Sequence, residues 1–263
     1  MRMRKPLVPA SGAKPVGPYV PGLEVGDYVY VSGQGVSNLE GKRATEIEAL
    51  TRQAIENVRV ILEVAGLGLH DVVSVQFYLL DLKNLAAADR VYHEHFGDPG
   101  PARVILGTAR MPTDTPVEIT VVAARKTTCH ITHLVEYSTE PWKPGVVSID
   151  ALPDGTSQAT FAVAGDDGQT TFCPVVASDP HGNIEEQTRS AFDKLIASLA
   201  TKQFTLGDIT ATNVYLNDMD DFARMNAVYA GYFPAAKPSR TTVQPTKTVA
   251  GESLVRISAF AVK

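Results

Sequence analysis

The chain has 263 residues, 44% hydrophobic and 20% charged, with a formal net charge of −5. No apolar run approaches the roughly 18 residues of a membrane span, and the acidic balance does not favour nucleic acid, whose binding is driven by Lys and Arg neutralising phosphates. Two cysteines, Cys129 and Cys173, are too few and too far apart for a disulfide framework. The N-terminal MRMRK is followed by PLVPASGAKPVGP, which prolines break before any apolar signal core can form. It reads as a solvated basic tail on a cytoplasmic protein, and a small molecule is the expected partner.

In chain order, the alternating segment around Val25–Gly33 predicts a strand or hairpin ending in a Ser-Gly turn. Thr45–Gly66 follows as a helix. Leu50, Ala54, Val58, Ile61, Leu62 and Ala65 fall at three- and four-residue spacing on one face, and Gly66 provides a stop. Asp71–Leu80 alternates as a strand and Leu85–Phe96 reads as a second helix. Asp98-Pro99-Gly100-Pro101 breaks the chain before a strand from Ala102 to Thr108, and Met111–Pro116 turns into a closing strand, Val117–Ala123.

The same order then returns. LHDVVSVQFYLLDLKNL in the first half matches LGDITATNVYLNDMDDF in the second, and a constant offset relates Tyr78 to Tyr215, Asp81 to Asp218 and Arg103 to Arg240. A period this long marks a duplicated domain, since solenoid units run about 20 to 50 residues. The second copy predicts a strand at Thr160–Gly165, a helix at Ile184–Leu199, a strand at Ile209–Leu216, a helix at Asp221–Phe233 and strands at Arg240–Pro245 and Ser253–Val262. Thr127–Ser157, rich in Thr, Pro and Gly, holds the join, giving domains 1–126 and 127–263 with the boundary near Lys126. Each is an α+β unit with two helices on one face of a mixed sheet.

The first half resembles the Rid family of YjgF-like reactive-intermediate deaminases. The likeness rests on GPYVPGLEVGDYVYVSGQ, QAIENVRVILEVAGL, VQFYLLDLKNL and PARVILGTARMPTDTPVEI, in family order and spacing. It implies two tandem chorismate-mutase-like domains, three-fold rings with pockets at domain interfaces, and hydrolysis of 2-imino or enamino acids, such as 2-aminoacrylate and 2-iminopropanoate, to 2-keto acids and ammonia. No cofactor or metal is implied. Three chains forming two stacked rings of like domains are the simplest closed assembly, with mixed rings as the alternative, and its pockets would join Arg103 of one subunit with residues of its neighbour.

A 2-imino acid presents a planar carboxylate, which an arginine fork grips with two charge-assisted hydrogen bonds. The resemblance gives that role to Arg103. Imine hydrolysis also needs water activation and proton transfer to nitrogen, work for a carboxyl group with a shifted pKa, and Glu118 in the VEI strand is the candidate. Tyr19 matches a family position that lines the pocket, and Ser32 and Gly33 are expected to offer backbone donors to substrate.

The halves differ at informative positions. Asp89 stands where many family members carry asparagine, whereas the second half has Asn226; Ile105 replaces a cysteine found in several members. The second half keeps Arg240 but has no tyrosine aligned with Tyr19, and Arg256 stands where the first half has Glu118. The second repeat is therefore expected to be degenerate or altered, either structural or binding an anion through Arg240 and Arg256 together. On this reading Arg103→Ala abolishes deamination and Arg240→Ala leaves it largely intact. Cys129, His130 and His133 form C-H-x-x-H without an evident fourth ligand, His93 and His95 point to different helix faces, and Gly33-x-Gly35 lacks the rest of a dinucleotide loop. The alternatives are a non-catalytic ligand-binding or regulatory module, a biosynthetic enzyme with altered chemistry, and an endoribonuclease, which the acidic balance disfavours.

Overall fold

Alternation of apolar side chains sets the core of each repeat. A computed structural model describes residues 3–36, 46–98, 100–125, 130–132, 162–164, 171–172, 175–246 and 253–263. In the first repeat, β1 (Arg4–Leu7), β2 (Gly22–Val25) and β3 (Tyr28–Gln34) precede α1 (Ile47–Val64). Then come β4 (Val72–Leu79), α2 (Leu85–Phe96), β5 (Ala102–Arg110) and β6 (Val117–Ala124). The expected stripe of α1 is buried, through Leu50, Ala54, Val58, Ile61 and Leu62. Gly66 ends that helix at φ +69°, a backbone conformation that costs glycine little.

The first two residues of the join's described part form β7 with the next (His130–Thr132), which pairs with β8 (Ala162–Ala164) as a separate ribbon. The strand expected at Thr160–Gly165 therefore does not enter the sheet of the second repeat. That place is taken by β9 (Thr171–Phe172) and β10 (Val175–Ala177), both paired with the last strand. α3 (Ile184–Ala200), β11 (Ile209–Leu216), α4 (Phe222–Tyr232), β12 (Ser239–Pro245) and β13 (Val255–Val262) complete the repeat. Asn183 and Glu186 cap α3 reciprocally, a start signal of the kind expected at a helix N-terminus. Lys126, Cys129 and His133 lie outside the described residues. Among the described residues no helix is long and apolar enough to cross a membrane, and no group of three His, Cys, Asp or Glu could hold a metal.

The basic N-terminus is a strand rather than a solvated tail. β1 pairs antiparallel with β2, Leu7 is fully buried, and the Arg4 guanidinium donates to the Ile209 carbonyl of the second repeat. Pairing along β2 supplies what the short RKPL segment lacks in hydrophobic pattern.

In both repeats a parallel pair, β4–β5 and β11–β12, is flanked by an antiparallel neighbour, β6 or β13. Val117, Ile119, Val121 and Ala123 of β6 join the core under α1 and α2. The opposite faces of the two sheets meet each other. Leu23, Val25, Tyr28, Tyr30 and Ala124 pack with Phe260 and Val262, and Tyr78 and Met111 pack with Tyr215 and Val243. At the edge, β5 pairs antiparallel with β12 through Arg110 and Gln244, joining the repeats into one continuous sheet. The two copies therefore share a buried seam, and anything in it is built from both.

Candidate active site

Position on the strand decides which side chains reach that seam. Alternation points Glu118 away from its neighbours Val117 and Ile119, out of the helix-covered core and toward the second repeat. Two residues further along the same face, Thr120 exchanges a 2.5 Å hydroxyl contact with Thr241 of β12. Arg103 lies on the other side of the sheet, its guanidinium carbon 4.0 Å from the centre of the Tyr92 ring of α2. Within one chain, Arg103 and Glu118 thus lie on opposite faces of the sheet, so a pocket joining them, as the resemblance implies, would take them from neighbouring subunits.

The arginine that meets Glu118 is Arg240. A cleft enclosing about 490 Å³, including its open mouth, is lined among others by Tyr19, Gly33, Glu118, Thr113, Phe222 and Arg240. Its first four named residues come from the first repeat or its leading loop, and Phe222 and Arg240 from the second. The backbone holds the halves in register: Arg240 N–H donates to the Ser32 hydroxyl at 2.9 Å, Ser32 Oγ donates to Val20 O at 2.5 Å, and Val20 N–H donates to Pro238 O at 3.3 Å.

Arg240 is 3% exposed. Its guanidinium carbon sits 4.8 Å from the Tyr229 ring centre, 5.0 Å from Tyr19 and 5.6 Å from Phe222, a cage of π faces that favours the cation. Neither Nη1 nor Nη2 has a hydrogen-bond partner. A buried cation with both terminal nitrogens unsatisfied is costly to the fold, and an anion entering the cleft removes that cost. Burial lowers the Arg240 pKa, with Tyr229, Tyr19 and Glu118 acting in the opposite direction.

Glu118 is 5% exposed, and burial pushes its carboxyl up to about 8 against the opposing pull of Arg240. At neutral pH it holds a proton that it can give away. Gly33 makes room for it: a Cβ there would lie 2.0 Å from Glu118 Oε1. Tyr19 closes the wall over Arg240 while its hydroxyl accepts from Val16 N–H at 3.1 Å, and burial raises its pKa.

Because the folded state favours the protonated form of Glu118, its contribution to stability is fully present below the ordinary carboxylate range and is lost as pH rises through about 8. The cost above that pH is on the order of a few kcal/mol. Glu118→Gln, which carries no charge at any pH, is expected to melt at a higher temperature than the parent chain at pH 9 and at nearly the same temperature at pH 4. Equal melting at both pH values contradicts a buried, proton-holding Glu118.

Ser32 has a different part from the one expected. Its N–H donates to Pro21 O at 2.9 Å and its hydroxyl bridges the repeats, so it positions Arg240 and offers no backbone donor to a ligand. Arg256 is 1% exposed, faces Tyr215 across the β11–β13 pair as Glu118 faces Tyr78 across β4–β6, and is absent from the cleft wall. The cleft thus brings Arg240 together with Glu118, and Arg256 is not among its lining residues.

Gly17 and Phe222 escaped the sequence reading. A Cβ on Gly17 would lie 2.4 Å from Arg240 Nη2 and 3.3 Å from Asn226 Nδ2, so the loop passes the guanidinium only because it has no side chain there. Gly17→Val is expected to crowd the Arg240 guanidinium and weaken binding of a carboxylate probe such as acetate at least tenfold, with unchanged far-ultraviolet circular dichroism; undiminished affinity in a titration would remove Gly17 from the site. The GPY motif was the available signal for Gly17. Phe222 had none beyond the helix start.

The family model described as Endoribonuclease L-PSP matches residues 10–125 and again 159–263. The chain belongs to this family, the YjgF-like or Rid proteins, as a tandem member with the family's α+β fold. A 2-iminobutanoate/2-iminopropanoate deaminase of Salmonella typhimurium is 34% identical over 128 residues, which are 47% of this chain and 100% of that protein. A RutC family protein of Saccharolobus solfataricus is 39% identical over 128 residues, 47% of this chain and 99% of its own. The solved structure of the YjgF gene product of E. coli is 32% identical, with a TM-score of 0.45, covering 46% of this chain and 99% of the other.

Proposed function

We propose that the chain hydrolyses 2-imino or enamino acids to 2-keto acids and ammonia in the cleft between its repeats, with Arg240 as carboxylate grip and Glu118 as proton carrier. The observation that carries this reading is the pairing of a buried, unsatisfied guanidinium with a buried, proton-holding carboxyl group across the seam. Family membership and a related imine deaminase support the reaction class.

Arg240 takes the substrate carboxylate through both Nη atoms. Glu118 donates its proton to the imine nitrogen, making an iminium whose carbon accepts water. The resulting Glu118 carboxylate takes a proton from that water, leaving a neutral carbinolamine. Glu118 then protonates the amine, the C–N bond breaks with its electron pair going to ammonia, and the hydroxyl proton returns to Glu118 as the carbonyl forms. The sum is imine plus water to keto acid plus ammonia. An enamine first takes the Glu118 proton on carbon, becoming the same iminium, and enters the sequence at water attack, with the Glu118 carboxylate taking the proton from that water. Tyr19 and Phe222 flank the grip and fix the plane of the bound acid.

Keto-acid release from a dehydratase that generates 2-aminoacrylate tests the proposal. Added protein is expected to accelerate release; no acceleration by folded protein, together with measurable keto-acid binding, favours a binding module instead. Three chains remain the proposed assembly. Sedimentation is expected to give the mass of three chains, and the mass of one chain would contradict it.

A further inference from the structure

Both repeats carry an arginine at the same strand start, stacked on the same helix tyrosine. Arg103 lies 4.0 Å from the Tyr92 ring centre and Arg240 4.8 Å from that of Tyr229. Besides the Tyr19 and Phe222 rings around Arg240, they differ in one polar side chain on the adjoining helix. In the second repeat it is Asn226, whose Oδ1 is itself without a hydrogen-bond partner, and Arg240 keeps Nη1 and Nη2 unsatisfied. In the first it is Asp89, whose Oδ1 pairs with Arg103 Nη2 at 2.6 Å, so that only Nη1 of this guanidinium's two terminal nitrogens is left without a partner.

We propose that Asp89 is a built-in counter-ion that occupies the Arg103 grip and denies it to carboxylate ligands, so that one carboxylate decides which of two equivalent arginines binds substrate. The pair is sheltered, with the Arg103 and Asp89 side chains 17% and 34% exposed, so solvent only partly screens it. A free carboxylate must displace a tethered one whose effective concentration is far higher. His93 Nε2 is 3.6 Å from the other Asp89 oxygen, beyond hydrogen-bond distance, while His93 Nδ1 contacts Gly97 O at 2.9 Å. No comparable acid stands at Arg240, because Glu118 meets it as a neutral carboxyl group across the seam.

This goes beyond the deaminase reading and concerns the first repeat's own arginine. It is tested by calorimetric titration with pyruvate on the intact chain. Wild type and Arg103→Ala are each expected to bind one equivalent, and Arg240→Ala none. Adding Asp89→Asn to Arg240→Ala is expected to restore one equivalent, which Arg103→Ala removes again. Asp89→Ala in the same background serves as a second variant should the asparagine chain fail to fold. If neither folded double variant binds pyruvate, or if Arg240→Ala alone binds an equivalent that depends on Arg103, the proposal is overturned. If wild type binds none while the double variant binds one, the Arg240 reading fails and the role of Asp89 stands.

Discussion

Arg240→Ala is expected to reduce kcat/KM for imine hydrolysis by about 10² to 10⁴, from loss of two charge-assisted hydrogen bonds at about 1.5 to 3 kcal/mol each. Arg103→Ala is expected to change it less than about threefold, because its guanidinium sits on the far face of the sheet against Asp89. This ordering is the reverse of what the family motif alone predicts. The substitution need not cost stability, since it removes a buried charge with unsatisfied nitrogens. Arg240→Lys keeps a cation but not the planar fork, and is expected to recover only part of the rate. The dehydratase-coupled release of keto acid, measured across these variants, distinguishes the two arginines; equal losses at both positions would remove the assignment.

Glu118→Gln is the second large effect. Without an exchangeable proton, general acid and base steps fail together, and turnover is expected to fall by about 10² to 10⁴ with pyruvate affinity nearly unchanged. The pH profile carries the mechanism. Catalysis starts from the protonated carboxyl, so kcat/KM of the wild type is expected to decline as pH rises through about 8. Bound substrate neutralises the charge of Arg240 that pulls the Glu118 pKa down, so the decline in kcat is expected at a higher pH than the decline in kcat/KM. A Glu118→Gln chain within tenfold of wild type, or a rate that climbs through pH 8, contradicts the proton-carrier role.

Much of the fold is legible in the sequence because the strands and helices bury one face each. The stripe of α1 and the alternation of β6 state their periods openly, and α2 runs from Leu85 to Phe96 as its spacing predicts. β1 was hidden: four residues with a proline and two cations carry no period, and only the edge of β2 makes them a strand. The site was half legible. Arg240, Glu118 and Tyr19 all stand out in the sequence, but the family motif gives the carboxylate grip to Arg103, across a subunit interface from its partners. Strand sidedness keeps Arg103 from Glu118 within one chain, and the partner sheet that supplies Arg240 is set by contacts such as Tyr30 on Phe260, 5.4 Å between ring centres, which join residues with no sequence relation. One signal pointed the right way. The contrast between Asp89 and Asn226 marks which arginine lacks an acid partner and keeps both terminal nitrogens unsatisfied, and its meaning emerges only once both side chains lie beside their guanidinium groups.

Locating bound pyruvate in a crystal of the wild-type protein tests most directly that the two repeats build one site between them. The account predicts its carboxylate on both Nη atoms of Arg240, with Glu118 facing the carbonyl carbon from the opposite repeat. Pyruvate held by Arg103, with the Arg240 cleft empty, would contradict it.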